Sequence, residues 1–391
     1  MATRVVQHQT ARPQLSTEVG AAIRHVDYLL LAAVAGIVAY GLWVLGSVTR
    51  DDVPGDSGYY VTRQGINVTL GVIALVAVAA VSPLVWRRSR KLLYGILIGL
   101  LVIVLAADAI RGSQRWIDIG FFRFQPSELG KAIVILCVAG YLAERAKDVG
   151  RMRTVAGAVG LVAFPAFLVF IEPDFGTALM YVAILGVALF VAGARLSHLA
   201  ALLAAASAST LAILWMLPAA GIDVLKPYQV ERLTGFLNPD LDPSGTTYNI
   251  TQSITAVGSG GLSGRGVEGA TQTNLNYLPE HATDFIFSSL AEQRGFFGAS
   301  ILILLYALVV WRGIKIVALA PGLFEAIVAA GVVFVLAIQV FVNVGMTIGI
   351  APITGIPLPL VSYGGSSMIV SLMLIGLLEA IHIRGRLAGR S

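Results

Sequence analysis

The sequence is short of charge and nearly free of cysteine. Only 13% of its 391 residues are charged, whereas soluble domains carry about 25%, so an ordinary soluble globular protein is excluded. The one cysteine, Cys137, excludes an internal disulfide. Its place in an apolar run indicates a buried, unreactive thiol. The five histidines show no metal-ligand spacing.

Apolar residues are what the chain has in abundance, at 57% of the sequence and a mean hydropathy of +0.82. A bilayer core of about 30 Å needs roughly 20 apolar residues per helix. Ten such runs predict an all-α integral membrane protein with ten transmembrane helices. The runs lie near residues 28–48, 65–83, 92–107, 128–143, 154–171, 175–193, 196–217, 284–311, 322–350 and 361–383.

Basic residues predict the orientation of these helices. Most of the 27 Lys and Arg residues fall at run ends that share one side of the membrane with the N-terminus. Short loops rich in Lys and Arg face the cytoplasm. Both termini are therefore predicted inside (N-in, C-in), and the long loop between helices 7 and 8 outside. The net charge of +5 follows from this bias and needs no nucleic-acid partner.

The predicted organisation is one membrane domain with short flanking segments. Residues 1–27 form a cytoplasmic N-terminal segment, 28–383 the ten-helix domain and 384–391 a cytoplasmic tail. The extracytoplasmic loop, 218–283, has too little apolar content to fold apart from the helices. The N-terminal segment lacks the apolar core of a cleaved signal peptide, so the first helix is expected to be an uncleaved signal anchor.

A short acidic stretch, residues 278–287, closes this longest polar connection. It contains Glu280, His281 and Asp284, and Asp284 falls at the mouth of a membrane helix. An ionisable group at that depth is costly to dehydrate and marks a candidate functional site. His281 has no second histidine at metal-ligand spacing, so it is interpreted as a hydrogen-bonding residue.

A cationic and aromatic segment precedes the fourth predicted helix. Arg111 and Arg115 can grip a phosphate through forked hydrogen bonds, and Trp116 suits the membrane interface. An interfacial hairpin with anchoring aromatics explains the same residues equally well. The sequence leaves these two interpretations open.

The fourth helix begins at a proline and carries two charges. Pro126 suits the first helical turn, with Gln125 or Ser127 as the expected cap. Glu128 and Lys131 are three residues apart and so share one helical face. A purely structural interpretation is that Glu128 and Lys131 form an ion pair that only fixes helix packing. Charges inside a membrane favour a functional role instead.

Two further outer segments carry polar groups. In residues 172–177, Asp174 can cap the following helix or form a carboxylate wall of an outward cavity. The two carboxylates of this segment, Glu172 and Asp174, do not by themselves define a metal site. Before the last helix, Ser366 and Ser367 follow two glycines, and they can cap that helix or bind an anion at its N-terminus.

One common motif in the outer loop is rejected. Residues 264–269 match the dinucleotide pattern GxGxxG. No strand precedes the match and no βαβ unit surrounds it, as nucleotide binding would require. Nucleotide binding is therefore not predicted.

Taken together, these segments resemble the SEDS family of membrane proteins (shape, elongation, division and sporulation). The matching motifs lie, in order, at residues 124–128, 172–176, 258–261, 278–287 and 357–367. Residues 274–280, 345–349 and 352–357 resemble the elongation-type member, RodA, more than the division-type member, FtsW. Ala282 and Gln293 depart from the family pattern, and neither departure touches Asp284.

The resemblance implies a peptidoglycan glycosyltransferase that polymerises lipid II on the outer face of the bacterial cytoplasmic membrane. Asp284 would be the general base for the acceptor sugar 4-hydroxyl, with inversion at the donor anomeric carbon. A cation (Arg111, Arg115, Lys131, or a divalent Mg²⁺ or Mn²⁺) would neutralise the departing pyrophosphate, and no organic cofactor is implied. The expected cavity and substrate-binding residues are Glu128, Lys131, Asp174, Arg111, Arg115, Trp116, Gln125, Ser127, Glu280, His281, Ser366 and Ser367.

The partners implied by the resemblance are lipid II, undecaprenyl pyrophosphate, a class B penicillin-binding protein transpeptidase and other membrane proteins of the elongation complex. The competing class is a lipid II flippase or another membrane transporter, because many helices, broken segments and intramembrane charges also describe transporters. The two halves show no convincing inverted repeat and the largest polar loop is external. Both points favour an enzyme with an outward site.

Overall fold

The computed structural model describes residues 25–106, 115–118, 120, 122–219, 221 and 246–388, and within these ranges it is almost entirely helical. The first helices are α1 (Tyr28–Val48), α2 (Tyr59–Ala80), α3 (Pro83–Leu105), α4 (Pro126–Glu144), α5 (Met152–Ile171), α6 (Phe175–Val191) and α7 (Leu196–Leu211). Then follow α8 (Thr246–Ser259), α9 (Gly266–Gly269), α10 (Thr271–Asn274), α11 (Ile286–Ala318), α12 (Leu323–Thr347) and α13 (Gly365–Ala388). A ribbon of two strands, β1 (Ile117–Asp118) and β2 (Arg123–Phe124), precedes α4, and short helical turns occur at Ala146–Asp148, Ala212–Met216 and Leu217–Ala219.

Seven of the described helices are long and apolar enough to cross a membrane, namely α1, α2, α4, α5, α11, α12 and α13. Helices α6 and α7 are apolar but have 17 and 16 residues. Helix α3 has 23 residues and a basic first half. The all-helical architecture is confirmed, while ten crossings and the N-in/C-in orientation stay predictions.

Several helix boundaries differ from the apolar runs, most of all the start of α3. Helix α3 begins at Pro83 rather than near residue 92, because Pro83 suits its first turn and Arg90 finds a partner. Arg90 Nη2 lies 2.5 Å from Glu144 Oε1 at the end of α4. Helix α13 continues to Ala388, so residues 384–388 of the predicted tail are helical.

The described part of the outer connection packs onto the membrane helices. Glu292, buried in α11, accepts hydrogen bonds from the Thr273 amide at 3.0 Å and the Thr273 hydroxyl at 2.8 Å. A second hydrophobic cluster joins α8 to the end of α12, and its members are Ile250, Ala256, Leu278, Phe285, Met346, Ala351 and Ile353. The described part of the loop is therefore packed against the helices, and its inability to fold apart from them stays a prediction.

The glycine-rich segment after α8 lies directly against the backbone of α11. A Cβ on Gly264 would lie 2.3 Å from the carbonyl oxygen of Gln293. Gly264 has φ of +83° and Gly295, opposite it, has φ of +64°. Left-handed backbone and close approach both require glycine. Gly264, the first glycine of the GxGxxG match, is thus explained by its packing against α11.

Helices α2 and α13 also meet through glycines. A Cβ on Gly71 of α2 would lie 2.4 Å from Leu372 Cδ1, and one on Gly376 of α13 would lie 2.6 Å from the carbonyl oxygen of Leu75. Neither position has room for a side chain. This contact holds the N-terminus of α13 beside β2, where the candidate site begins.

Gly376→Ala is expected to lower the melting temperature of the protein in detergent, because overpacking a close helix contact costs about 1–3 kcal/mol. Gly99→Ala on α3 is the matched control, since nothing lies within 4 Å of its added Cβ. Thermal unfolding of the two variants and the wild type gives the comparison. Equal melting temperatures for the two variants would show that α2 and α13 are not in close contact.

Candidate active site

Glu128 and Lys131 form a buried ion pair on α4. Lys131 Nζ lies 2.8 Å from Oε1 and 2.7 Å from Oε2 of Glu128, and the side chains are 3% and 5% exposed, lysine first. Their spacing of three residues puts both on one helical face, as predicted. Buried charges persist when they are paired. The pair therefore keeps a cation and a carboxylate in the protein interior.

Asp174 is the polar centre of the turn between α5 and α6. Its Oδ1 accepts a hydrogen bond from the Thr177 amide at 3.2 Å, which confirms the predicted helix cap. Its Oδ2 accepts from Gln125 Nε2 at 3.0 Å and from Ser127 Oγ at 3.2 Å. Gln125 is the N-cap residue of α4, as predicted, but neither its side chain nor that of Ser127 makes a capping hydrogen bond. Hydrogen bonds to an ionised carboxylate are stronger than those between neutral groups. The side chains of Gln125 and Ser127 therefore bind Asp174 rather than the free amides at the start of α4.

Ser366, in the first turn of α13, joins the same cluster. Its Oγ accepts a hydrogen bond from the Gln125 amide at 2.9 Å and donates one to the Arg123 carbonyl at 3.1 Å. Ser367 is buried next to it. The Ser366 hydroxyl thus attaches α13 to the β2 strand, and anion binding at this helix start stays a prediction.

The aromatic and cationic segment before α4 forms the predicted hairpin. Ile117 pairs with Phe124 and Asp118 with Arg123 in an antiparallel register. Trp116 directly precedes β1 and is half-buried. The hairpin is confirmed, and its depth relative to a membrane interface stays a prediction.

Arg115 ties this hairpin to the acidic turn. Its Nε donates to the Glu172 carbonyl at 3.1 Å, and its Nη2 donates to the Pro173 carbonyl. The guanidinium therefore binds main-chain oxygens, which the sequence did not indicate. Arg111 lies outside the described residues, so the phosphate grip stays a prediction for both arginines.

Glu172 is a buried acid that the sequence analysis did not select as a site residue. Its side chain is fully buried, and neither carboxylate oxygen has a hydrogen-bond partner among the described residues. Burial raises the pKa of Glu172 to about 8, the nearby Asp174 adds to the rise, and Arg115 opposes it. The group is therefore mostly protonated at pH 7. Its place two residues before Asp174 was its one sequence signal.

Asp284 lies partly buried in the turn that leads into α11. Its own carbonyl accepts a hydrogen bond from Asn343 Nδ2 of α12 at 3.0 Å. The preceding carbonyl, of Thr283, accepts one from Ser362 Oγ at 2.6 Å. The main chain at Asp284 is thus held from two sides, by α12 and by the segment before α13.

Glu280 and His281 shape the same turn. The carbonyl of Glu280, whose side chain is exposed, accepts the Phe285 amide at 3.2 Å. His281 is buried, with Nε2 3.0 Å from Asp52 Oδ2 and Nδ1 3.1 Å from the Leu278 carbonyl. His281 is therefore a hydrogen-bonding residue, as predicted, and Asp52 is a partner that the sequence did not reveal.

Gly176 connects the Asp174 cluster with the Asp284 turn. A Cβ on Gly176 would lie 2.9 Å from the Thr354 carbonyl oxygen, so the acidic turn rests on that backbone. Two residues after Thr354, the carbonyl of Ile356 accepts a hydrogen bond from Asn343 Nδ2 at 2.9 Å. The same amide binds the Asp284 carbonyl. The structure therefore joins Gln125, Ser127, Asp174, Ser366 and Asp284 through one continuous network of contacts.

The expected divalent cation stays a prediction for the described residues. Among them, no three His, Cys, Asp or Glu side chains are grouped so that they could hold a metal ion. Glu128 is paired with Lys131, and Asp174 accepts hydrogen bonds at both oxygens.

Lys131→Met is expected to destabilise the protein by about 3–5 kcal/mol, because it leaves Glu128 buried without its partner. The double variant Glu128→Gln, Lys131→Met removes both charges and is expected to recover most of that loss. Thermal unfolding in detergent measures each protein. Removal of the solvent-facing pair Asp148 and Arg151, also three residues apart, is the control and should change stability little. Losses that add in the double variant would argue against the ion pair.

The raised pKa of Glu172 predicts a pH dependence of stability. Between the ordinary value of 4.5 and about 8, the folded state holds a proton that the unfolded state has lost. The stability that the protonated Glu172 gives the folded state is therefore fully present below pH 4.5. It declines as the pH rises to 8, by at most about 1.4 kcal/mol per pH unit. Glu172→Gln should be more stable than wild type at pH 8, and the difference should shrink at pH 5. A difference in melting temperature that does not change between these pH values would rule out a neutral, buried Glu172.

Comparison with known proteins places the chain among bacterial wall proteins. Stage V sporulation protein E of Bacillus subtilis is 39% identical over 90% of this chain and 93% of its own length. Peptidoglycan glycosyltransferase MrdB of Escherichia coli is 38% identical over 94% of this chain and 96% of its own. These nearly equal identities do not decide between an elongation role and another role in the family.

A solved structure agrees with these relatives. A chain described under "Structural coordination of polymerization and crosslinking by a peptidoglycan synthase complex" superposes with a TM-score of 0.78 at 31% identity. The match covers 92% of this chain and 98% of that one. The model of the FtsW, RodA and SpoVE family of cell cycle proteins matches residues 27–386. The chain therefore belongs to this family, the SEDS family of multi-pass membrane proteins.

Proposed function

We propose that this protein is a peptidoglycan glycosyltransferase that polymerises lipid II into β-1,4 glycan strands on the outer face of the cytoplasmic membrane. Relatives named peptidoglycan glycosyltransferase support the reaction class. The observation that carries the mechanism is the turn of Asp284, which hydrogen bonds from two other elements hold in place.

The proposed reaction is a displacement with inversion. The Asp284 carboxylate takes the proton from the acceptor sugar 4-hydroxyl, and that oxygen attacks the anomeric carbon of the donor strand. The bond from this carbon to the pyrophosphate oxygen breaks, its electron pair leaves with undecaprenyl pyrophosphate, and the α-linkage becomes a β-linkage. General-base help of this kind contributes about 10²–10⁴-fold in rate.

Two cations, the buried Lys131 and the partly buried Arg115, are suited to the departing anion. Lys131 has three N–H donors and two hydrogen bonds to Glu128, and Arg115 has five donors and two bonds to main-chain carbonyls. Each can also bind a phosphate oxygen. Fixed cations aimed at developing negative charge stabilise a transition state without reorganisation. We assign them to the pyrophosphate side of the reaction and Asp284 to the acceptor side.

The cellular setting is part of the proposal. The motifs at 274–280, 345–349 and 352–357 favour a role in cell elongation and shape over division. A class B penicillin-binding protein is the proposed partner. Support comes from the similar chain described in a peptidoglycan synthase complex that joins polymerization and crosslinking. The bias of basic residues toward one side supports an outward site.

Asp284→Asn is expected to abolish strand formation from lipid II while leaving the melting temperature unchanged, because the swap is nearly isosteric but removes the base. Polymer is measured by gel electrophoresis of labelled lipid II products, with and without a class B partner. Glu268→Gln is the matched control, since this carboxylate of the outer connection is 91% exposed. Wild-type rates in Asp284→Asn would overturn the assignment of the base.

A further inference from the structure

Asn343, near the end of α12, is a buried amide that local sequence patterns do not reveal. Its side chain has no solvent exposure. Its Nδ2 donates to the Asp284 carbonyl at 3.0 Å and to the Ile356 carbonyl at 2.9 Å. A side-chain amide has two N–H groups, so both are used here.

The amide oxygen of Asn343 indicates that apolar packing does not explain an asparagine at this position. Oδ1 of Asn343 is buried and has no hydrogen-bond partner among the described residues. Turning the amide over would set Oδ1 against two carbonyl oxygens, so the hydrogen-bond network fixes its orientation. A buried acceptor without a partner is destabilising. If α12 needed only to be packed at this point, leucine would be the better residue.

The two carbonyls that Asn343 binds belong to different irregular segments. Asp284 ends the turn before α11, and Ile356 lies in the extended chain before α13. The second segment also acts on the first through Ser362, whose Oγ accepts the Leu358 amide at 2.9 Å and donates to the Thr283 carbonyl at 2.6 Å. Asn343 is thus the point at which a rigid helix fixes both segments relative to each other.

We propose that Asn343 is a positioning residue for the Asp284 base, an inference that rests on the proposed function. It acts on the peptide of Asp284 and has no contact with substrate in this role. The direction of the carboxylate follows from the peptide plane that carries it, so loss of the two hydrogen bonds lets the base move. A displacement of about 1 Å can cost about 10²-fold in rate.

The test compares Asn343→Leu with Gln339→Leu. Gln339 lies one turn earlier on α12, is also buried and also carries an amide, so its replacement removes a similar group. Asn343→Leu is expected to lower kcat for strand formation by about 10- to 100-fold. Its KM for lipid II should stay near the wild-type value, and Gln339→Leu should keep wild-type kinetics.

The pH–rate profile separates positioning from general destabilisation. The folded fraction of each variant is measured at each pH and divided out of the rate. A displaced carboxylate has new surroundings and still shifts the acid limb of the corrected profile. Asn343→Asp, which keeps the shape but replaces the donor group, gives the same measurement if Asn343→Leu fails to fold. It is expected to shift the same limb.

Two results would count against the account, and they differ. Strand formation by wild type together with equal kinetics and pH profiles for Asn343→Leu and Gln339→Leu would overturn the positioning role alone. No strand formation by wild type under any condition would overturn the proposed function instead.

Discussion

Two irregular stretches of backbone, 278–285 and 351–364, are hydrogen-bonded to each other, and the candidate site depends on these bonds. Ser362 and Tyr363 of the second stretch donate to carbonyls of the first. Broken backbone at membrane depth persists only where protein or a wet cavity satisfies its polar groups. Buried amides on two helices add further hydrogen bonds, with Gln64 Nε2 donating to the Ser362 carbonyl at 3.0 Å and Asn343 binding both stretches. An acid carried by such a turn is held without regular secondary structure of its own.

The acids around this site are kept in the protein interior by three different means. Glu128 is neutralised by Lys131, Asp174 accepts hydrogen bonds from three donors, and Glu172 holds a proton. The ion pair and the hydrogen bonds offset the cost of burying a charge, and protonation removes the charge itself. The result is a group of polar side chains that can meet an anionic, lipid-linked substrate without a large net charge.

Local rules explain what could be predicted from the sequence. The spacing of Glu128 and Lys131 is enough to put them on one face, and Asp174 before an apolar helix is enough to indicate a cap. The hydrogen bond from Gln125 to Asp174 spans 49 positions, and the one from Asn343 to Asp284 spans 59. A local sequence pattern does not predict such pairs, because they form only when helices that are far apart in the sequence pack together.

The start of α3 shows a different limit. Hydropathy assigned its basic first half to a loop, because a window average counts each arginine as polar. In the structure Arg90 is helical and reaches Glu144 of the neighbouring helix along its aliphatic stem. The partner of Arg90, and therefore the helix boundary, depended on packing.

We expect the candidate site to join lipid II units rather than to move them across the membrane. Proteoliposomes containing the purified protein, a class B penicillin-binding protein and labelled lipid II allow both outcomes to be followed in one experiment. Strands are detected by their sensitivity to muramidase, and movement by the exposure of lipid II to an external reagent. The account predicts muramidase-sensitive strands. Intact lipid II crossing the bilayer, with no strands formed, would contradict it.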